Sequence, residues 1–115
     1  MQRGQVRMVD FDPTRGAEAN KRRPAVIVSN DSANSAAAQL GHGVLTVVPV
    51  TSNVKRVYPF QVLLPSGAGG LPHDSKAQAE QVHSVDVERV GALLGSLPIQ
   101  LMALVEDALR LHMVL

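Results

Sequence analysis

The sequence predicts a mainly β domain, a small barrel or strongly curved sheet closed off by one C-terminal helix, and three observations carry that expectation. Short apolar or alternating runs recur between clusters of turn residues, which is how antiparallel strands are punctuated. One run, "PAVIVS", is apolar without interruption and so reads as a strand buried on both faces. Only the last twenty residues show a sustained helical period. At 115 residues the chain falls in the size range of a single domain, 1–115, and can bury a real core.

Taken in order, "QVRMVDF" (5–11) is the first predicted strand, ended by the turn-forming "DPTRG". "PAVIVS" (24–29) is the second. The alanine-rich "SANSAAAQL" is expected to form a brief helix capped by Asp31 or Ser32. "GVLTVVPV" (43–50) is the third strand, and Pro49 marks it as an edge strand or a bulged one. "PFQVLL" (59–64) is the fourth, followed by the turn-rich "PSGAGGLP". "SKAQAEQVH" (75–83) reads as a fifth strand whose period of two places Lys76, Gln78, Glu80 and Val82 on one face. A short helix or turn opened by Asp86 is expected at "DVERVGALLG". In "SLPIQLMALVEDALRLHMVL", Pro98 suits a first helical turn, Ser96 is a candidate cap, and Leu101, Leu104, Val105 and Ala108 form the apolar face.

Composition narrows the function classes. Hydrophobic residues make up 45%, as in an ordinary globular domain. No apolar stretch approaches the roughly 20 residues that span a bilayer, and "MQRGQVRMVDFD" lacks the apolar core of a signal peptide, so a cytoplasmic location is expected. Without cysteine there is neither a disulfide nor a thiolate metal site. The net charge of +1 is unevenly spread: residues 1–56 hold eight Lys and Arg against four Asp and Glu, residues 57–115 three against six. A basic half can attract a polyanion.

Motifs for cofactors are missing. His42, His73, His83 and His112 show no HxH or HExxH spacing, and adjacent His73 and Asp74 diverge on an extended chain, so no metal site is expected. No GxSxG, GxxxxGK[ST] or GxGxxG occurs, and no cofactor is expected. Three strand-end stretches remain. "GAEANKRRP" holds Glu18, Lys21, Arg22 and Arg23; "VPVTSN" ends in Thr51, Ser52 and Asn53, with Lys55 and Arg56 close behind; "QAEQ" presents Glu80. Brought together, guanidinium groups, hydroxyl donors and a carboxylate around one anion suit phosphoryl transfer without metal. Taken separately, each is an ordinary strand end with solvated charges.

At these stretches the sequence resembles the MazF/PemK (Kid) family of toxin endoribonucleases from type II toxin–antitoxin modules. The likeness starts in "RGQVRMVDFDPTRGAEANKRRPAVIVSND" and runs through "VVPVTSN", "YPFQVLL" and "DSKAQAEQVHSVD" into the C-terminal helix, covering essentially the whole chain. The resemblance implies an SH3-like, CcdB/PemK-type twisted β-barrel that forms a homodimer. It implies sequence-specific, metal-independent cleavage of single-stranded RNA by 2′-hydroxyl attack, leaving a 2′,3′-cyclic phosphate and a 5′-hydroxyl. The implied partner is a MazE-like antitoxin with a disordered tail, and DNA is met only through that antitoxin.

Residue by residue, the resemblance gives catalytic roles to Arg23, Thr51, Glu80 and the supporting Glu18. It places Phe60 where those members have a phenylalanine that can stack on a base. Lys21, Arg22, Ser52, Asn53, Lys55, Arg56 and Gln78 are expected along the RNA as well, Lys21 and Arg22 steering it or the antitoxin. The chain departs from Kid-like members in two places. Ala17 stands where they have a histidine, and Gln78 where they have the arginine proposed to protonate the leaving group. The acid therefore falls to Arg23 or a water it orients, a poor match because arginine gives up its proton far from ambient pH. The competing reading is a non-enzymatic toxin of the same fold that binds DNA gyrase, like CcdB. Arg23, Thr51 and Glu80 argue against it, as does the "HMVL" ending.

Overall fold

The computed structural model describes residues 1–11 and 22–115. Seven strands alternate with two helices: β1 Gln5–Asp10, β2 Arg22–Ile27, α1 Asp31–Leu40, β3 Val44–Thr51, β4 Gln61–Leu64, β5 Ser75–Gln78, β6 His83–Asp86, β7 Val90–Ser96 and α2 Ile99–Met113. Every pairing among them is antiparallel, in the order β4-β5-β3-β2-β1-β7, with β6 also on β3. No pairing joins β4 to β7 among the described residues, so the sheet is curved but not closed into a complete barrel.

Strand β3 organises the rest. Val47–Pro49 pair with β2, while on the other side Val44–Val47 pair with β6 and Val50–Thr51 with β5. Pro49 is thus not on an edge strand, nor does its pairing with Ala25 show a bulge, the two placements its type led us to expect. It lies in the central strand, where that side passes from β6 to β5, so its missing N–H coincides with a break already present in the ladder. The same handover explains why "SKAQAEQVH" is not one strand. To move from one end of β3 to the other, the chain leaves β5 through a 3-10 turn, Ala79–Gln81, closed by Val82 N donating to Ala79 O at 3.1 Å, and re-enters as β6.

The alternating residues of β2 and β3 feed two cores. Val26, Val48 and Val50 join Val6, Val62, Leu64 and Leu71 beneath Met102, Val105 and Ala108 of α2. Ala25, Ile27, Leu45 and Val47 join Val9, Val85 and Val87 with Ala37 of α1. "PAVIVS" is therefore buried on both faces, as its unbroken apolar run requires. Each such buried aliphatic contributes roughly 1.5–3 kcal/mol. The buried face of α2 is rotated from the expected one: Met102 takes the place of Leu104, which stays 50% exposed.

Both helix starts also differ in detail. Asn30, one residue before Asp31 and two before Ser32, the predicted caps, accepts from Ala33 N at 2.9 Å and caps α1. Ser96 is the last residue of β7, and Pro98 precedes α2 without a side-chain cap. "DVERVGALLG" is a 3-10 turn, Val87–Arg89, leading into β7. Finally, the turn after β4 lies against β7. A Cβ on Gly70, whose φ is +76°, would stand 2.0 Å from Leu94 O, so only glycine permits this approach.

Candidate nucleic-acid cleavage site

The register of β2, β3 and β5 places three polar side chains in one row. Thr51 pairs with Lys76, and continuing the β2–β3 register two residues past its last pair, Ala25–Pro49, directs Arg23 toward Thr51 from the other side, where the two line one cavity. Opposed residues in an antiparallel pair project to the same face. Arg23 and Thr51, distant in sequence, are neighbours because β2 and β3 run side by side.

At this strand end lies a cavity of about 260 Å³ lined by Arg23, Thr51, Ser52, His73 and Ser75 over an apolar floor that includes Pro24, Val50 and Leu71. Arg23 is half-buried, with its guanidinium carbon 5.4 Å from the centroid of the Phe11 ring. Such a cation–π contact fixes a long side chain without using its hydrogen-bond donors. The Thr51 hydroxyl oxygen accepts from Asn53 N at 3.3 Å, which leaves the hydroxyl proton to donate. Asn53 Oδ1 in turn accepts from Lys55 N at 3.3 Å, so "TSNVK" is shaped by two successive side-chain turns. A fixed guanidinium beside a hydroxyl donor, above an apolar floor, is a site for one tetrahedral oxyanion.

Of the predicted site residues, Arg23, Thr51 and Ser52 share this cavity. Asn53, Lys55 and Arg56 are exposed on the following loop, where Arg56 Nη1 lies 3.4 Å from Tyr58 Oη. Phe60 stacks on Tyr58, with centroids 5.4 Å apart and planes 1° from parallel. Arg22 points elsewhere: it opposes Asp10 and lines a separate cleft with Asp86, Glu88 and Arg89. Glu80 sits on the 3-10 turn rather than on a strand and does not line the cavity. Its Oε2 accepts from Gln61 Nε2 at 2.7 Å. Gln78 Oε1 and Glu80 Oε1 are buried and have no hydrogen-bond partner among the described residues. Glu18 and Lys21 lie outside the described residues.

Three residues that the sequence reading did not assign to the site belong near it. Lys76 is 92% buried by its 8% exposure, donates from Nζ to Arg56 O at 2.7 Å, and lies 6.0 Å from the Tyr58 ring centroid. Its place on the polar face of "SKAQ" was the available signal. Phe11 holds Arg23 and also packs on His83, centroids 5.1 Å apart. Being one of only three aromatic residues was its only mark. His73 enters the cavity from the loop after the glycine-rich turn, a placement no spacing rule predicts. Among the described residues no group of three His, Cys, Asp or Glu could hold a metal ion, and no helix is long and apolar enough to cross a membrane.

Comparison with known proteins bears on the chain as a whole. The family model described as PemK-like, MazF-like toxin of type II toxin-antitoxin system matches residues 2–113. Endoribonuclease MazF9 of Mycobacterium tuberculosis is 54% identical over 113 residues, covering 98% of this chain and 96% of its own. The crystal structure of MazF (Form-I) from Deinococcus radiodurans superposes with a TM-score of 0.78 at 28% identity, covering 100% of this chain and 97% of its own. A MazE–MazF structure (Form-II) from the same organism gives 0.75 at 25% identity, covering 98% and 94%.

Proposed function

This chain belongs to the PemK-like, MazF-like family of toxins of type II toxin–antitoxin systems, and from that premise we propose that it is a sequence-specific, metal-independent endoribonuclease acting on single-stranded RNA. The observation that supports the reading most is the single cavity holding Arg23 and Thr51. The fork of Arg23 would grip the non-bridging oxygens of the scissile phosphate and offset the charge that grows as phosphorus becomes pentacoordinate. Thr51, with its proton available, would donate to one of the same oxygens, and Ser52 stands beside it. The neighbouring 2′-hydroxyl attacks phosphorus and the bond to the 5′-oxygen breaks, giving a 2′,3′-cyclic phosphate and a 5′-hydroxyl.

Along the strand on either side, Asn53, Lys55 and Arg56 would take backbone phosphates, and the parallel Tyr58–Phe60 pair would offer a stacking surface, with each stacked base adding roughly 1–3 kcal/mol. Glu80, Gln78 and the supporting Glu18 would shape the flank of the RNA site, with Lys21 and Arg22 steering the polyanion. The relatives include MazF crystallised with MazE, which supports a MazE-like antitoxin as the partner here. A homodimer, a cytoplasmic location, and contact with DNA only through the antitoxin complete the proposal. A CcdB-like binder of gyrase is not favoured, since the relatives of this chain carry endoribonuclease names.

The test is incubation of purified protein with mixed-sequence RNA in EDTA, followed by mapping of both new ends. Recurrent cleavage at one short sequence, with cyclic phosphate and 5′-hydroxyl termini, is expected. Intact RNA, or cleavage that needs added metal, would overturn the reading.

A further inference from the structure

Breaking the bond to the 5′-oxygen creates an alkoxide unless a proton arrives with the cleavage. Arg23 cannot supply it near neutral pH, and the hydroxyls of Thr51, Ser52 and Ser75 are weaker acids still. Of the residues lining the cavity, only His73 has a side chain of a type that exchanges protons around neutrality.

The loop that carries His73 is braced. Gly67 N donates to Leu71 O at 2.7 Å, and Ser66 Oγ donates to Pro72 O at 3.1 Å. Ser75 Oγ donates to the carbonyl of His73 itself at 2.8 Å. Leu71 is 2% exposed in the α2-side core and anchors the residues just before it. The carboxylate of the adjacent Asp74 is turned back, its Oδ1 accepting from Ser66 N at 2.8 Å. From the facing strands, the charged group on this cavity is Arg23 of β2, while β3 and the residue after it contribute apolar Val50 and the hydroxyls of Thr51 and Ser52. His73, an exposed residue on a fixed backbone, thus lines the same small cavity as the phosphate clamp.

We propose that His73 is the general acid of this site, protonating the 5′-oxygen as it leaves. The inference rests on the endoribonuclease reading above. In the step, the 2′-oxygen forms its bond to phosphorus and yields its proton to water. The P–O5′ bond breaks as the imidazolium N–H passes its proton to O5′, and solvent then reprotonates the neutral imidazole.

The test compares wild type, His73→Gln and His73→Asn in single-turnover cleavage of one RNA between pH 5 and 9, with His42→Gln, which does not line the cavity, as the control. Each reaction is repeated on RNA whose scissile linkage carries sulfur in place of the 5′-oxygen. A thiolate leaves without protonation, so that substrate does not need the acid. On normal RNA both His73 variants should lose roughly 10²–10⁴-fold in rate and lose the fall in rate on the alkaline side. On the sulfur substrate they should come within a few-fold of wild type, and His42→Gln should behave as wild type throughout. Equal losses on both substrates would mean that His73 only positions the loop, and an unchanged alkaline limb would also overturn the proposal. If wild-type protein cleaves neither substrate, the endoribonuclease reading fails and this inference with it.

Discussion

At Arg23 the chemistry depends on a fork rather than on charge alone. Its guanidinium is held over Phe11 and directed to the cavity that Thr51 and Ser52 line. Lysine would preserve the charge but lose the planar pair of donors and the stacking, so Arg23→Lys should slow single-turnover cleavage by roughly 10²-fold, with little change in melting temperature. Retention of near-wild-type rates would remove Arg23 from the catalytic centre. Thr51→Val keeps the shape and deletes one donor, and a loss on the order of 10-fold or more is expected from the same assay. If the two side chains grip one phosphate, the double variant should lose less than the product of the single losses. The chemistry of "RRP" and "VTSN" was legible because strand ends present side chains of fixed type in fixed order. The separation of Arg22 from Arg23 follows equally simply, since neighbours on a strand face opposite sides. What could not be read was Glu80, whose place depends on how the chain leaves β5, and His73, whose place depends on a loop.

Between strands, two elements set the cavity's rim. The glycine-rich turn reaches it by lying flat on β7, with the hypothetical Cβ of Gly70 2.0 Å from Leu94 O at a φ of +76°. Gly70→Ala should therefore both destabilise the fold, by about 2 kcal/mol or more, and shift the 71–75 segment. Thermal denaturation checks the first effect, and hydrogen exchange at Leu71–Ser75 the second. An unaltered melting temperature would show that the turn tolerates displacement. On the other side, buried Lys76 ties the 52–60 loop down through Arg56 O at 2.7 Å. Replacing it with Met keeps most of the volume and removes a charge-assisted bond worth roughly 1.5–3 kcal/mol. Faster exchange confined to residues 54–58 is the expected outcome, and uniform acceleration across the sheet would contradict this local role. Most strands were legible from periodicity, but β7 was not: "DVERVGALLG" read as a short helix or turn, and its residues from Val90 onward belong to that strand. Partner exchange along β3 was not legible either: Pro49 looked like an edge signal and "SKAQAEQVH" like one strand, because the break between β5 and β6 is a property of the sheet rather than of either segment.

For the molecule as a whole, the unfinished surface is the one beside α2. Leu63, Leu104 and Leu111 are each about half exposed or more, and they line a groove with Pro59, Val62 and Ala108. Beyond it, Met113, Val114 and Leu115 are 52%, 89% and 83% exposed. The helix that seals one core therefore also turns an apolar stripe outward, which is why Leu104 fitted the period of the sequence yet missed the core. Scattered surface leucines need no explanation, but a contiguous stripe on a small domain does. The proposed homodimer accounts for it if the stripe is covered by the same stripe of a second copy, as a two-fold interface requires. Leu104→Glu combined with Leu111→Glu would place like charges across that interface at no cost to the interior, since neither side chain is buried. Light scattering at micromolar concentration should then shift from the mass of two chains to the 12.2 kDa of one, with the circular dichroism spectrum unchanged. A double variant that remains dimeric would locate the interface elsewhere on the molecule. A wild-type protein that is already monomeric would leave the stripe to the antitoxin, and the same substitutions should then weaken antitoxin binding while leaving cleavage by the free toxin intact.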